Sequence, residues 1–280
     1  MTRIARALMI SAAAVLALSA CNREAEKAER PAVSAPGTPD AKITPADAAA
    51  PLTFANATPY ASVKLTLPEA IKPYPDLHAR LYGEEVSKLR QFAEGAQADR
   101  TEAGGDEGLP AYEKTVTFAA AGETGKLFSL QRVDFDYSGG AHPNTLATGI
   151  LWDKALKRLI GAGDLFRKGA DLTPLDQALC TAVNAARRAR VPDARSISLN
   201  GGGDFTCPRA ADTPFVLAPG TVGGKAGGLV FLIGPYQVGP YAEGSYEIAI
   251  PHAVFHALLV PAYADEFAGQ LTKTGNLGAR

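Results

Sequence analysis

Cysteine is scarce in this chain, with three residues in 280. Neither Cys180 nor Cys207 has a second cysteine or a histidine at ligand spacing, which argues against a zinc site and leaves a disulfide, with two free thiols as the alternative. A positive excess is missing as well, since 28 Lys and Arg face 29 Asp and Glu. That balance excludes the phosphate-driven binding of nucleic acids, which needs a basic surface to release counterions. Only one long apolar run occurs, Ala7 to Ala17, and it is too short for a membrane span. No serine sits in a Gly-x-Ser-x-Gly turn and no His-Glu-x-x-His occurs, so neither a nucleophile elbow nor that zinc motif is present. No cofactor and no metal are expected.

What is present begins at the N-terminus. Arg3 and Arg6 precede the apolar run, small residues follow it, and Leu18-Ser19-Ala20-Cys21 closes it, which are the parts of a secretory signal ending in a lipobox. The segment resembles bacterial lipoprotein signals, and the resemblance implies that residues 1–20 are removed and that Cys21 is diacylated. Two acyl chains suffice for stable anchoring, at about 0.8 kcal/mol per buried methylene. Asn22, rather than aspartate, follows the cysteine, so the expected address is the outer membrane, facing the periplasm. Removing Met1 to Ala20 takes away two arginines and no acids, leaving 26 basic against 29 acidic residues and a formal charge of -3. In this exported setting a Cys180–Cys207 bridge is the simplest use of the pair, and it would stabilise the fold by roughly 3 kcal/mol.

From Asn22 to about Pro51 the chain is Ala, Pro, Glu, Lys and Asp with almost no large apolar residue, so residues 21–51 read as a lipidated, disordered tether. Val63, Leu65 and Leu67 alternate in Ser62–Leu67, a half-buried strand ending at Pro68. Asp76 stands as N-cap of a helix to about Ala96, carrying Leu77, Leu81, Leu89 and Phe92. Strands follow at Thr115–Phe118, Leu127–Tyr137 and Thr145–Trp152. The second changes phase between Leu130 and Val133, which predicts a bulge near Gln131. A second helix opens with Thr173 as N-cap and Pro174 at the first helical position, lined by Leu175, Leu179, Ala182, Val183 and Ala186. Arg187, Arg188 and Arg190 close it and, with Arg195, read as a solvated helix end. Leu229–Ile233 and Ser245–Ile250 are further strands, and a short helix begins at Pro251. Strands linked mostly as hairpins indicate an α+β fold, with antiparallel sheets packed against helices in two small subdomains, 52–153 and 154–268, and a flexible tail at 269–280.

Two glycine-rich segments carry the candidate chemistry. Ser138-Gly139-Gly140-Ala141-His142-Pro143-Asn144 is the expected hairpin connection, and Gly234 to Gly244 contains Tyr236 and Tyr241. With Asp164-Leu165-Phe166, these segments resemble the paired extracytoplasmic domains of unknown function seen in the anti-sigma factor RsiV and beside the catalytic domain of the peptidoglycan deacetylase PdaC, over about Phe54 to Ala264. In RsiV the domain binds lysozyme; in PdaC it accompanies the enzyme without performing the reaction. Neither a cytoplasmic sigma-binding segment before the anchor nor room for a deacetylase domain is expected here, so neither activity carries over.

Ser138 and His142, with Asp134 or Asp136 nearby, are also the residue types of a nucleophile, base and orienter, against a plain structural turn. Tyr236 and Tyr241 suit stacking on sugars or anchoring a protein contact, against simple packing beneath their loop. His252 and His256 lie four apart on the expected helix and can face one metal, but no third ligand accompanies them. Asp99, Glu102, Asp106 and Glu107 form an acidic insertion able to attract a basic protein or simply to stay mobile. The expectation is a non-catalytic envelope lipoprotein, attached to the membrane through its lipid alone, that binds a lysozyme-like muramidase or peptidoglycan through Ser138, Gly139, Gly140, His142, Asn144, Tyr236 and Tyr241. A peptidoglycan-modifying hydrolase and a purely structural envelope protein are the competing readings. Replacing Cys21 by alanine is expected to abolish labelling by radioactive palmitate and leave the precursor unprocessed; undiminished labelling would overturn the anchor.

Overall fold

The computed structural model describes residues 50–102, 104 and 110–278. Cys21, the signal segment, the tether up to residue 49, Asp106 and Glu107 lie outside the described residues. The fold is α+β, with two sheets and four α-helices among the described residues. The first sheet holds six strands in sequence order: β1 (Thr53–Ala57), β2 (Ala61–Thr66), β3 (Tyr112–Glu123), β4 (Leu127–Tyr137), β5 (Asn144–Asp153) and β6 (Arg158–Ile160). Every neighbouring pair is antiparallel except β2 and β3, which are parallel. A parallel pair needs a crossover, and helix α1 (Pro75–Glu102) supplies it.

Helix α1 is longer at both ends than its sequence pattern suggested. Asp76 lies inside its first turn and pairs with Lys157 at 2.7 Å instead of capping it, because Pro75 is itself a suitable first residue. Beyond Ala96 no breaker occurs before Gly104, and Ala96 and Arg100 still face inward. Leu77, Leu81, Val86 and Leu89 pack on Val63, Leu65, Val116, Phe118, Phe128, Leu130 and Trp152. A polar network closes this layer, in which Arg132 reaches Glu85 at 3.0 Å and Asp134 at 2.9 Å, and Lys114 reaches Asp134 at 3.1 Å.

No bulge occurs at Gln131, which pairs regularly with Ala119 and Gly149; the irregularity lies on β3, between Ala120 and Gly122. The apparent phase change in β4 has a simple cause. Its first half is covered on both faces, so Leu127 through Leu130 are all buried and alternation is lost. Phe128 and Leu130 meet α1, while Leu127 joins the other core.

The second sheet has the order β10-β9-β8-β7, with β7 (Phe215–Pro219), β8 (Ala226–Ile233), β9 (Tyr246–Pro251) and β10 (Gly275–Asn276), all antiparallel. Strand β10 lies within the segment expected to be a loose tail. The Asn276 Oδ1 accepts from the Glu247 N–H at 2.9 Å, tying this segment to β9. Helices α2 (Ala162–Leu165), α3 (Thr173–Arg190) and α4 (Pro261–Ala264) accompany this sheet. Leu175, Leu179 and Val183 of α3 pack on Phe231, Ile233, Tyr246 and Ile248. Helix α3 begins at Thr173, so Thr173 is not its N-cap; the Asp171 carboxylate accepts from the Thr173 N–H at 3.0 Å and organises the entry. Cys180 and Cys207 are joined, with Cα atoms 5.2 Å apart, tying α3 to the irregular stretch before β7.

Strand β7 is the edge of its sheet, and its free side lies on the open face of the first sheet, in contact with β3, β4 and β5. Two glycines and a serine make this approach possible. A Cβ on Gly149 would overlap the Phe215 carbonyl, one on Gly122 would lie 3.0 Å from the Leu217 Cβ, and the Ser129 hydroxyl accepts from the Leu217 N–H at 3.1 Å. The docked strand separates two cores, with Phe215 and Leu217 in the one shared with α3 and Val216 and Ala218 in a smaller one. Adding a methyl at Gly149 is expected to cost more than about 3 kcal/mol, because backbone must move, and Ser129→Ala about 1–3 kcal/mol for the orphaned N–H. Urea unfolding measures both, and a neutral Gly149→Ala would contradict this packing.

Candidate functional site

The β4–β5 hairpin turns through Ser138–Pro143, where Gly139 and Gly140 adopt φ of 92° and 95°, values that favour glycine. The β8–β9 connection, Gly234–Gly244, comes to the same place. His142 stacks on Tyr241 with ring centroids 3.9 Å apart and planes at 17°. Tyr236 completes the group, 5.4 Å from Tyr241 and 6.4 Å from His142. The Tyr241 hydroxyl donates to the Pro143 carbonyl at 2.9 Å, tying one loop to the other. A carbonyl can only accept, so the His142 Nδ1 at 3.1 Å from Pro143 O carries a proton. Neutral His142 then offers Nε2 as acceptor to the Tyr236 hydroxyl at 3.4 Å.

Tyr236 has φ of 65°, a left-handed conformation that costs a non-glycine residue about 1–2 kcal/mol, and its side chain is 57% exposed. Leu146 on β5, 43% exposed, adds an aliphatic flank; its Cδ2 lies 3.1 Å from where a Cβ on Gly234 would sit. Ser138, Gly139, Gly140, His142 and Asn144 are exposed as well.

The triad types do not assemble. The Ser138 side chain makes no hydrogen bond, Nε2 of His142 faces a tyrosine, and Asp134 is committed to Arg132 and Lys114. Asp136 pairs across the ladder with Asn144 at the base of the hairpin. The geometry is that of an exposed aromatic surface made by two loops.

The tyrosine loop is held from beneath by residues the sequence pattern did not single out. Glu243 is buried, and its carboxylate accepts from Arg187 Nε and Nη2, both at 2.9 Å, and from the Tyr246 hydroxyl at 2.9 Å. Gly239 is required because any Cβ there would overlap that carboxylate. Arg190 lies over the Tyr246 ring at 4.1 Å and donates to the Glu243 and Ser245 carbonyls. The end of α3 is therefore not a solvated cluster, since two of its arginines clamp the loop. No local pattern reveals this, because Arg187 and Glu243 stand 56 residues apart.

His252 and His256 lie in two successive 3-10 turns, His252–Val254 and His256–Leu258, in place of the expected helix. The buried Phe255 between them pins both turns to the core. Among the described residues no three His, Cys, Asp or Glu side chains converge as a metal site.

Residues 163–253 match a family described as a protein of unknown function, DUF3298. This span contains Asp164-Leu165-Phe166 and the Gly234–Gly244 loop but not the β4–β5 hairpin. At that level, a domain of unknown function, the resemblance drawn from the sequence holds. A DUF3298-family crystal structure from Bacteroides fragilis NCTC 9343 is 18% identical, covering 74% of this chain and 87% of that one at a TM-score of 0.47. Another, from Pseudomonas aeruginosa PAO1, is 15% identical, covering 80% of this chain and 100% of that one at a TM-score of 0.47. No curated protein matches.

The Arg187 guanidinium, together with the Tyr246 hydroxyl, holds the Glu243 carboxyl below its ordinary value of 4.5, whereas burial and Glu243 push Tyr246 up to about 12. A depressed carboxylate pKa contributes stability that is fully present above the unfolded value and lost as pH falls through the folded one. Glu243→Gln is therefore expected to flatten the loss of stability below about pH 4.5. At neutral pH it should cost about 3–5 kcal/mol, because Arg187 is left buried and unpaired. Urea titrations of both forms from pH 3 to 7 test this, on the order of the range where carboxylates titrate.

Proposed function

We propose that this chain is a lipid-anchored envelope protein that binds a cell-wall-related ligand and catalyses no reaction, with a lysozyme-like muramidase as the favoured ligand. The observation that carries this reading is the convergence of His142, Tyr236 and Tyr241 from two loops on one exposed surface. Aromatic groups with a polar tip supply contact area at low entropic cost and are common interface anchors. Exposed Leu146 beside this surface adds aliphatic contact area of the kind a protein partner buries. Muramidases carry two carboxyl groups in an open cleft. The Ser138 and Asn144 side chains, which make no internal hydrogen bonds, are free to donate there. The resemblance to the ectodomain of RsiV, which binds lysozyme, agrees with this reading, and the acidic Asp99 and Glu102 near the end of α1 suit a basic partner.

Calorimetry against a panel of muramidases and soluble peptidoglycan fragments tests the proposal. Tyr236→Ala is expected to weaken muramidase binding about thirtyfold, equivalent to about 2 kcal/mol, with a smaller loss for His142→Ala. Binding of glycan fragments alone would move the ligand to peptidoglycan. Absence of binding to every ligand would remove the hypothesis, and release of new muropeptides that stops in Ser138→Ala would show an enzyme.

A further inference from the structure

We infer that strand β1, the open edge of the first sheet, is a self-association surface that pairs with β1 of a second copy of this chain. The register of β1 on β2 decides which groups the edge offers. The Leu67 N–H donates to the Leu52 carbonyl at 2.7 Å and the Thr58 N–H to the Ala61 carbonyl at 2.8 Å, so residues 52, 54, 56 and 58 spend their backbone groups on β2. Thr53, Ala55 and Ala57 then aim their N–H and C=O groups outward, and among the described residues nothing pairs with them. The other sheet edges are short or covered. Strand β6 has three residues and β10 two, while β7 is docked on the first sheet. Strand β1 runs five residues in unbroken register, and residues 51–63 contain no charged side chain. Charges, prolines and bulges are the usual means of keeping a strand edge from pairing, and Thr53–Ala57 has none of them.

A second copy fits this edge because the pattern is self-complementary. An antiparallel pair centred on Ala55 sets Ala55 opposite Ala55 of the second copy, and Thr53 and Ala57 opposite that copy's Ala57 and Thr53. Each such pair exchanges two N–H···O bonds, so every outward group of these residues is satisfied and the two-fold closes. The side chains permit the approach. Thr53, Ala55 and Ala57 are small and exposed and point away from α1, whereas Phe54 packs at the rim of the α1 core and falls opposite Asn56 of the second copy. An edge this short places the contact among weak, reversible interfaces.

Sedimentation equilibrium of the full chain in density-matched detergent, from micromolar to millimolar concentration, tests the pairing. The wild type is expected to pass from monomer to dimer and no further, since the two-fold uses up both edges. In Ala55→Pro the lost N–H is one that faces solvent in the monomer, which an edge strand tolerates. The same change removes both central hydrogen bonds and is expected to weaken the dimer at least about tenfold. Cross-linking reads the register and keeps the test valid should Ala55→Pro fold poorly. Residues opposite in a non-hydrogen-bonded pair have Cα atoms about 4.5 Å apart, within disulfide range, so oxidising a mixture of Phe54→Cys and Asn56→Cys chains is expected to give a cross-linked dimer well above that of either chain alone. A wild type that stays monomeric throughout, a dimer that survives unweakened in Ala55→Pro, or cross-linking no greater in the mixture than in the single chains overturns the assignment.

Discussion

The docking of β7 on the open face of the first sheet is the contact on which the rest of the molecule depends. An edge strand exposes unpaired backbone groups, and burying them without partners is costly. Here the edge is covered by the face of the other sheet, and Ser129 answers the Leu217 N–H. The approach is close enough that Gly149 and Gly122 have no room for larger side chains. Because β7 separates the larger core from the smaller one, its position fixes both at once.

That packing also brings two distant loops together. The β4–β5 hairpin belongs to the first sheet and the β8–β9 loop to the second, yet Tyr241 is bonded to the Pro143 carbonyl and Leu146 lies beside Gly234. The aromatic surface is thus a product of how the sheets meet. The tyrosine loop is anchored from beneath by Glu243, whose carboxylate accepts from Arg187 and Tyr246. Breaking a buried pair of this kind costs far more than removing an exposed one, since the remaining charge has no solvent to turn to. The left-handed Tyr236 packs against the His142 and Tyr241 rings.

A surface of this kind supports the proposed role in recognition. Its histidine has a tyrosine at one ring nitrogen and a carbonyl at the other, which leaves no free base beside Ser138. Exposed rings beside an aliphatic side chain offer area, while the free polar side chains of the hairpin tip can select a partner.

By itself the sequence determined the α+β class, most strands, the hairpin glycines and the Cys180–Cys207 pair. Each of these rests on local periodicity, on turn chemistry or on there being few cysteines to combine. It also marked both loops as unusual, since glycine and proline density is visible without coordinates. Only the tertiary structure decided that the loops meet, that Arg187 and Arg190 are clamps and not a solvated end, and that β4 needs no bulge at Gln131. It also turned the expected tail into the carrier of β10, and it showed why Gly149 must be glycine. In each case the cause is a contact between residues far apart in the chain, and neither hydrophobic spacing nor residue propensity encodes such a partner.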